Sequence, residues 1–172
     1  MVNTTLYSVI SAEPALKLKE ERVLACAQVG HKCVDAKFEQ FLHKTLAYAD
    51  LDTEDLLEYE KEGTRDFEAR IKWAFDNIST NYSIAIAPPR FANPSIAVRR
   101  GRMTLSGSTI MSFFDPCIHE ITAGVDHWLD KLNVPHILLT GEFGNSPYLQ
   151  QALQEHYGPR GIQIYYHVNN YS

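Results

Sequence analysis

Residues 136–159, HILLTGEFGNSPYLQQALQEHYGP, constrain the fold of this chain more than any other stretch. An apolar run from His136 to Thr140 stops at Gly141, turns through Glu142, Phe143, Gly144 and Asn145, and restarts with helical spacing after Ser146 and Pro147. Ser146 suits the N-cap, Pro147 the first helical position, and Gly158 with Pro159 the helix end. The run 136–140 is too apolar for a strand with one wet face, so it is expected to be central, parallel and covered on both faces. A last strand is expected from Ile162 to Val168. In α/β proteins a strand, a tight glycine turn and a helix start often hold a ligand, because free backbone N–H groups meet the positive end of the helix dipole there.

The rest of the chain alternates between the two periodicities. Leu6 to Ile10 and Ala15 to Lys19, either side of Ser11-Ala12-Glu13-Pro14, predict a hairpin whose second strand is half exposed, since Leu16 and Leu18 alternate with lysines. After Gly30, Val34, Phe38, Phe41 and Leu42 recur at helical offsets, and His43 and Lys44 near the end suit the dipole. The acidic stretch from Asp52 to Lys61 reads as a solvated surface segment or weak helix. Gly63-Thr64 then opens a stronger helix with Phe67, Ile71, Ala74 and Phe75 on one face and Glu68 and Lys72 as a surface i, i+4 pair. Tyr82 to Ala87 and Ile96 to Leu105 predict strands flanking the loop APPRFANP. A helix is expected to start with Asp115 as N-cap and Pro116 at its first position, its apolar stripe being Ile118, Ile121, Val125, Trp128, Leu129 and Leu132.

With 172 residues, 45% of them hydrophobic, the chain fits one α/β domain, 1–172, with a real core. No run approaches the length of a membrane span, and the opening MVNTTLYSVISAEP lacks a signal-peptide pattern, so a cytoplasmic chain with no membrane partner is expected. A formal charge of −5 gives no general attraction to nucleic acid. Arg99, Arg100 and Arg102 around Gly101 read as a hairpin tip. Cys26, Cys33 and Cys117 form neither an even framework nor a C-x-x-C pair, so they read as buried or free thiols. His119-Glu120 and His127 lack H-E-x-x-H spacing, which leaves solvent-facing histidines and no metal site. Ser106, Ser108 and Ser112 lie outside any G-x-S-x-G turn, and no catalytic residue is assigned.

The order of hairpin, two helices, strand pair, F-D-P helix, and strand with glycine turn and S-P-Y-L helix resembles the second lobe of the actin-like ATPase domain of the heat-shock protein 70 superfamily. It is most similar to the divergent heat-shock-70-like proteins of fungi, which carry G-G-F-G-x-S-P-Y-L. The resemblance covers nearly the whole chain. It implies a ribonuclease-H-like lobe with a mixed sheet, truncated at both ends: Val2 to Ile10 resemble the segment directly after a D-x-G-G-G-T phosphate loop, and HVNNYS resembles the segment directly before a final helix. The strand carrying that loop would lie between the hairpin and the strand 136–140. The resemblance also implies an adenosine site at Gly141, Gly144, Asn145 and Ser146, with Lys72 reaching the adenine side.

Three departures and two absences qualify that site. Glu142 stands where the family's second glycine lets backbone approach the nucleotide. Gly30-His31-Lys32 replaces a glycine pair, and Glu68 lies one helical step from the family's adenine-site glutamate. The two phosphate loops that would hold Mg²⁺ and the attacking water are not in the chain, so Mg²⁺ belongs only to an intact parent domain. The resemblance therefore implies a chaperone-type ATP-binding fragment that keeps the adenosine side, binds ATP or ADP weakly or not at all, and does not hydrolyse ATP alone. A complementing first lobe would be its partner. The second reading is a protein-interaction module that has lost nucleotide binding.

Overall fold

The computed structural model describes residues 2–27, 30–76 and 78–166, and the architecture is mixed α/β with three small sheets. Strands β1 (Val2–Ser11) and β2 (Lys17–Ala27) form the expected antiparallel hairpin, longer than the periodicity predicts. Helix α1 (His31–Leu46) comes next and buries Val34, Phe38, Leu42 and Leu46 completely. Helix α2 (Thr53–Asp66) runs without interruption into a five-residue π turn, Phe67–Ile71, and a short α3 (Lys72–Ala74). The strands β3 (Asn81–Ala85), β4 (Val98–Arg99) and β5 (Arg102–Ser106) form an antiparallel sheet in the order β3-β5-β4. Helix α4 (Gly107–Leu129), strand β6 (His136–Leu139), helix α5 (Pro147–Tyr157) and strand β7 (Gln163–Tyr166) complete the fold.

The core lies where α1, the π turn, the β3-β5-β4 sheet and α4 meet. Phe38 stacks on Phe67 with centroids 4.0 Å apart, and Phe113 meets both rings edge-on at 5.8 and 6.1 Å. Such pairs contribute about 0.5–1.5 kcal/mol each beyond the burial of their area. Phe75, Ile84, Ile86, Met103, Ile110 and Phe114 are buried around them, and Leu149, Leu153 and Tyr157 bring α5 onto the same core. Among the described residues no helix is long and apolar enough to cross a membrane.

The structure corrects the sequence expectations first at four places in the helices and strands. Gly63 is not a helix start but lies inside α2, where a Cβ would sit 2.7 Å from Leu42 Cδ2 and 3.0 Å from Ile86 Cγ2; the glycine allows close packing. The N-cap of that helix is Asp52, whose carboxylate accepts from the Asp55 N–H at 2.8 Å, so the acidic segment is its first half. Helix α4 starts nine residues before Pro116, capped by Ser106, whose Oγ accepts from the Thr109 N–H at 3.1 Å. Pro116 sits on its exposed side, and Asp115, the expected cap, accepts a hydrogen bond from the Tyr148 hydroxyl at 3.1 Å. The apolar stripe of α4 accordingly begins at Ile110, while Val125, Trp128 and Leu129 are only half buried.

The fourth correction concerns the strand 136–140. Strand β6 is parallel to β7, in line with the expected parallel strand, but it is not covered on both faces: His136 and Leu138 are exposed, as are Tyr165 and Tyr166 of β7. Val168, the expected end of the last strand, lies outside the described residues, as does the whole segment HVNNYS, residues 167–172. Among the described residues no strand pairing joins β6-β7 to the hairpin, and Tyr7, Val9, Ile10, Leu16, Leu18 and Val23 of the hairpin region are exposed too. Two-stranded sheets with one open face are marginal by themselves.

The hairpin tip at Arg99 to Arg102 is as expected, and it splits the expected strand Ile96–Leu105 into β4 and β5. Arg100 and Gly101 form the β4-β5 turn with φ of 50° and 72°, and Arg102 reaches back to the Ser83 carbonyl at 2.7 Å. His119 and His127 are exposed, as expected. The cysteine expectation does not hold, since Cys33 and Cys117 form a disulfide.

The packing at Gly63 gives a test with two possible signs. Helix propensity alone would make Gly63→Ala stabilising by about 1 kcal/mol, but overpacking Leu42 and Ile86 should outweigh that and destabilise the chain by about 1–2 kcal/mol in urea unfolding. A second test concerns acid. Burial raises the Asp66 pKa, but the Arg70 guanidinium and the Ala85 N–H outweigh it and hold the carboxyl below its usual range. Its contribution is therefore present above the unfolded carboxyl pKa, about 3.9, and lost as pH falls through the lower folded value. Asp66→Asn should destabilise the chain at neutral pH and flatten the stability loss measured below about pH 4.

Candidate functional site

Helix α1 and the helix formed by α2, the π turn and α3 run side by side, and the turn after β6 closes one end of the cleft between them. The cleft has a volume of about 670 Å³. Its walls are His31, Lys32, Asp35, Ala36 and Glu39 from α1, and Arg65, Glu68, Ala69, Lys72 and Trp73 from the facing helix; Glu142 forms the lip.

The sequence spacing places Lys72 on the surface, paired with Glu68. Instead it is buried, because the π turn inserts a residue before it and turns the helix beyond relative to a straight α-helix. Its ammonium donates to both carboxylate oxygens of Asp35, at 2.8 and 3.0 Å, and lies 4.8 Å from the centroid of the Trp73 ring. The two side chains are only 5% and 11% exposed, so this is a desolvated pair joining α1 to α3. Two charges removed from water in this way are tolerated only when each satisfies the other.

The glycine turn is well ordered by its own bonds. Gly141 has φ of 83° with open space around its Cα, so its glycine serves conformation rather than close approach. Gly144 is buried, and a Cβ there would meet Leu139 Cβ at 3.4 Å, an ordinary van der Waals contact. The N–H groups of Gly144, Asn145 and Ser146 donate to the carbonyls of Gly141, Glu142 and Phe143, each at 3.1 Å. Ser146 is fully buried and its Oγ caps α5 by accepting from the Leu149 N–H at 3.4 Å. Asn145 points to solvent. The Glu142 carboxylate reaches across the cleft to 3.9 Å from His31 Nδ1.

Of the residues singled out in the sequence, the cleft brings together Lys72, Glu68 and the turn through Glu142. Gly141, Gly144, Asn145 and Ser146 shape the turn behind that lip without lining the cleft. Sequence reasoning named His31 and Lys32 only as a departure from a glycine pair, and missed Asp35, Glu39, Arg65 and Trp73. Only Asp35 left a signal: it is an acid beside Val34 on the buried face of α1, a position that calls for a partner.

The arrangement offers an open cleft with an aromatic surface at Trp73, carboxylates at Glu39 and Glu68, and cations at Lys32 and Arg65, the latter paired with Glu62. It does not suit phosphates, since the turn's donors at 144–146 are spent internally, Lys72 is held by Asp35, and Glu142 brings negative charge to the lip.

If the Asp35 and Lys72 pair is the staple of this cleft, Lys72→Met should cost about 3–5 kcal/mol in urea unfolding by leaving Asp35 charged and buried. Adding Asp35→Asn to that variant should restore most of the loss. A cost of Lys72→Met below about 1 kcal/mol, typical of exposed pairs, would show the lysine to be free for a ligand.

Compared with known proteins, the chain matches no family model and no curated protein.

Proposed function

We propose that this chain is part of an actin-like nucleotide-binding lobe of the heat-shock-70 type, keeping the frame of the adenosine side and lacking the phosphate side. The observation that carries this reading is the convergence of three segments distant in sequence on one cleft: α1 with Asp35, the π-turn helix with Glu68 and Lys72, and the glycine turn with Glu142. The resemblance drawn from the sequence implies a site at that junction.

Catalysis of phosphoryl transfer rests on positioning and charge stabilisation around the phosphates. The cleft supplies neither, so the isolated chain is read as catalytically silent. Nucleotide contacts reduce to the nucleoside half, and binding falls to millimolar or weaker, a loss of about 4 kcal/mol from a micromolar site. The interaction-module reading is favoured by a different observation, the exposed apolar side chains of Leu138 and Tyr165, which pair in register on the open face of β6-β7. Nucleotide binding separates the two.

The test is a titration of the chain with ATP, ADP and adenosine by ligand-observed NMR. Adenosine should bind about as well as ATP, Glu142→Gly should tighten ATP binding, and no turnover should exceed a no-protein blank. Micromolar ATP binding unaffected by Glu142→Gly, or turnover retained after stringent purification, would contradict the reading.

A further inference from the structure

Helix α1 has a weak start. Gly30 at its N-cap provides no side-chain bond, its first turn has no acidic residue, and Lys32 places a cation at the end where the helix dipole favours negative charge. Yet this turn carries His31, Lys32 and, just after it, Asp35 into the cleft wall. The later turns are secured by Phe38, Leu42 and Leu46, all fully buried. Before the buried Val34, the start of the helix is secured by a covalent bond, since Cys33 is joined to Cys117 of α4 with their Cα atoms 6.4 Å apart, inside the range a disulfide spans.

The two sulfurs differ in access. Cys117 is fully buried and Cys33 half buried, so an incoming thiolate meets Cys33 first. The reduced state is provided for as well: the Phe113 carbonyl lies 3.7 Å from Cys117 Sγ, where it can accept the proton of a buried thiol.

We propose that Cys33 and Cys117 form a reversible redox clamp on the cleft wall. Bonded, the pair pins the first turn of α1 to α4 and keeps His31 and Lys32 in place; reduced, that turn frays while Asp35, held by Lys72, and the core persist. In the opening reaction the thiolate of a small thiol such as glutathione attacks Cys33 Sγ, the bond between the two protein sulfurs breaks, and Cys117 leaves as a thiolate that takes up a proton. A second small thiol then displaces the first from Cys33. The products are two protein thiols and one small disulfide, with two electrons passing from the small thiols to the protein. The reverse reaction uses the small disulfide as oxidant.

The test equilibrates the chain in glutathione buffers from oxidised to reduced, traps free thiols by alkylation for mass spectrometry, and follows amide hydrogen exchange in each buffer. Cys33 and Cys117 should be protected together and released together. Exchange in residues 31–36 should rise on the order of tenfold on reduction, with β3 and β5 unchanged. Cys33→Ser should show the fast exchange without reductant, and Cys26→Ser should leave the response intact. Alkylation of Cys33 in the oxidised buffer, or equal exchange of 31–36 in both buffers, would overturn the proposal. Loss of protection throughout the chain on reduction would overturn it too, by making the bond a global staple rather than a local clamp.

Discussion

The ion pair between Asp35 and Lys72 sets the terms for the rest of this structure. Each group alone would be a buried charge costing several kcal/mol, so neither helix can place its residue inward unless the other does the same. That condition fixes the rotation of α1 and of the helix beyond the π turn about their axes. The aromatic cluster of Phe38, Phe67 and Phe113 lies against the same helices and supplies the apolar burial that makes their approach favourable. Hydrophobic packing brings the two helices together, and the pair selects one register among those the packing would tolerate.

The same constraint limits what the cleft can do. A lysine held by a carboxylate at 2.8 and 3.0 Å is a poor partner for a phosphate, because a phosphate would have to compete with an acid already in place. The glycine turn is restrained in a comparable way: its amides at 144–146 close on its own carbonyls, and Ser146 is used as a helix cap. What remains open to a ligand is the outer part of the cleft, lined by side chains of both signs around Trp73.

Much of the local structure was legible in the sequence. The spacing of Val34, Phe38 and Leu42 marked the buried face of α1, and Ser146 with Pro147 marked the start of α5, because both signals act within a few residues. Gly63 and Pro116 were misread as boundaries. A glycine inside a helix can be required by a neighbour as close as Leu42, and a proline can sit on a helix's exposed side once an earlier cap has started it; neither circumstance is local. The π turn left no periodic signature, so the spacing alone turned Lys72 toward solvent. The open face of β6 was hidden for the opposite reason: an apolar strand implies two covers, and the described residues supply only one. Within the candidate site, Lys72 and the glycine turn were visible as chemistry, whereas Asp35 became meaningful only through its partner 37 residues away.

The buried pair can be observed directly through the ammonium protons of lysine in a ¹⁵N-edited NMR spectrum. Surface lysine ammonium groups exchange with water too fast to be seen near neutral pH, whereas one that is 5% exposed and doubly bonded to a carboxylate is shielded. The account predicts a resolved ammonium signal that disappears in Lys72→Met and is broadened in Asp35→Asn. A Lys72 ammonium exchanging as fast as the surface lysines, with no response to Asp35→Asn, would contradict it.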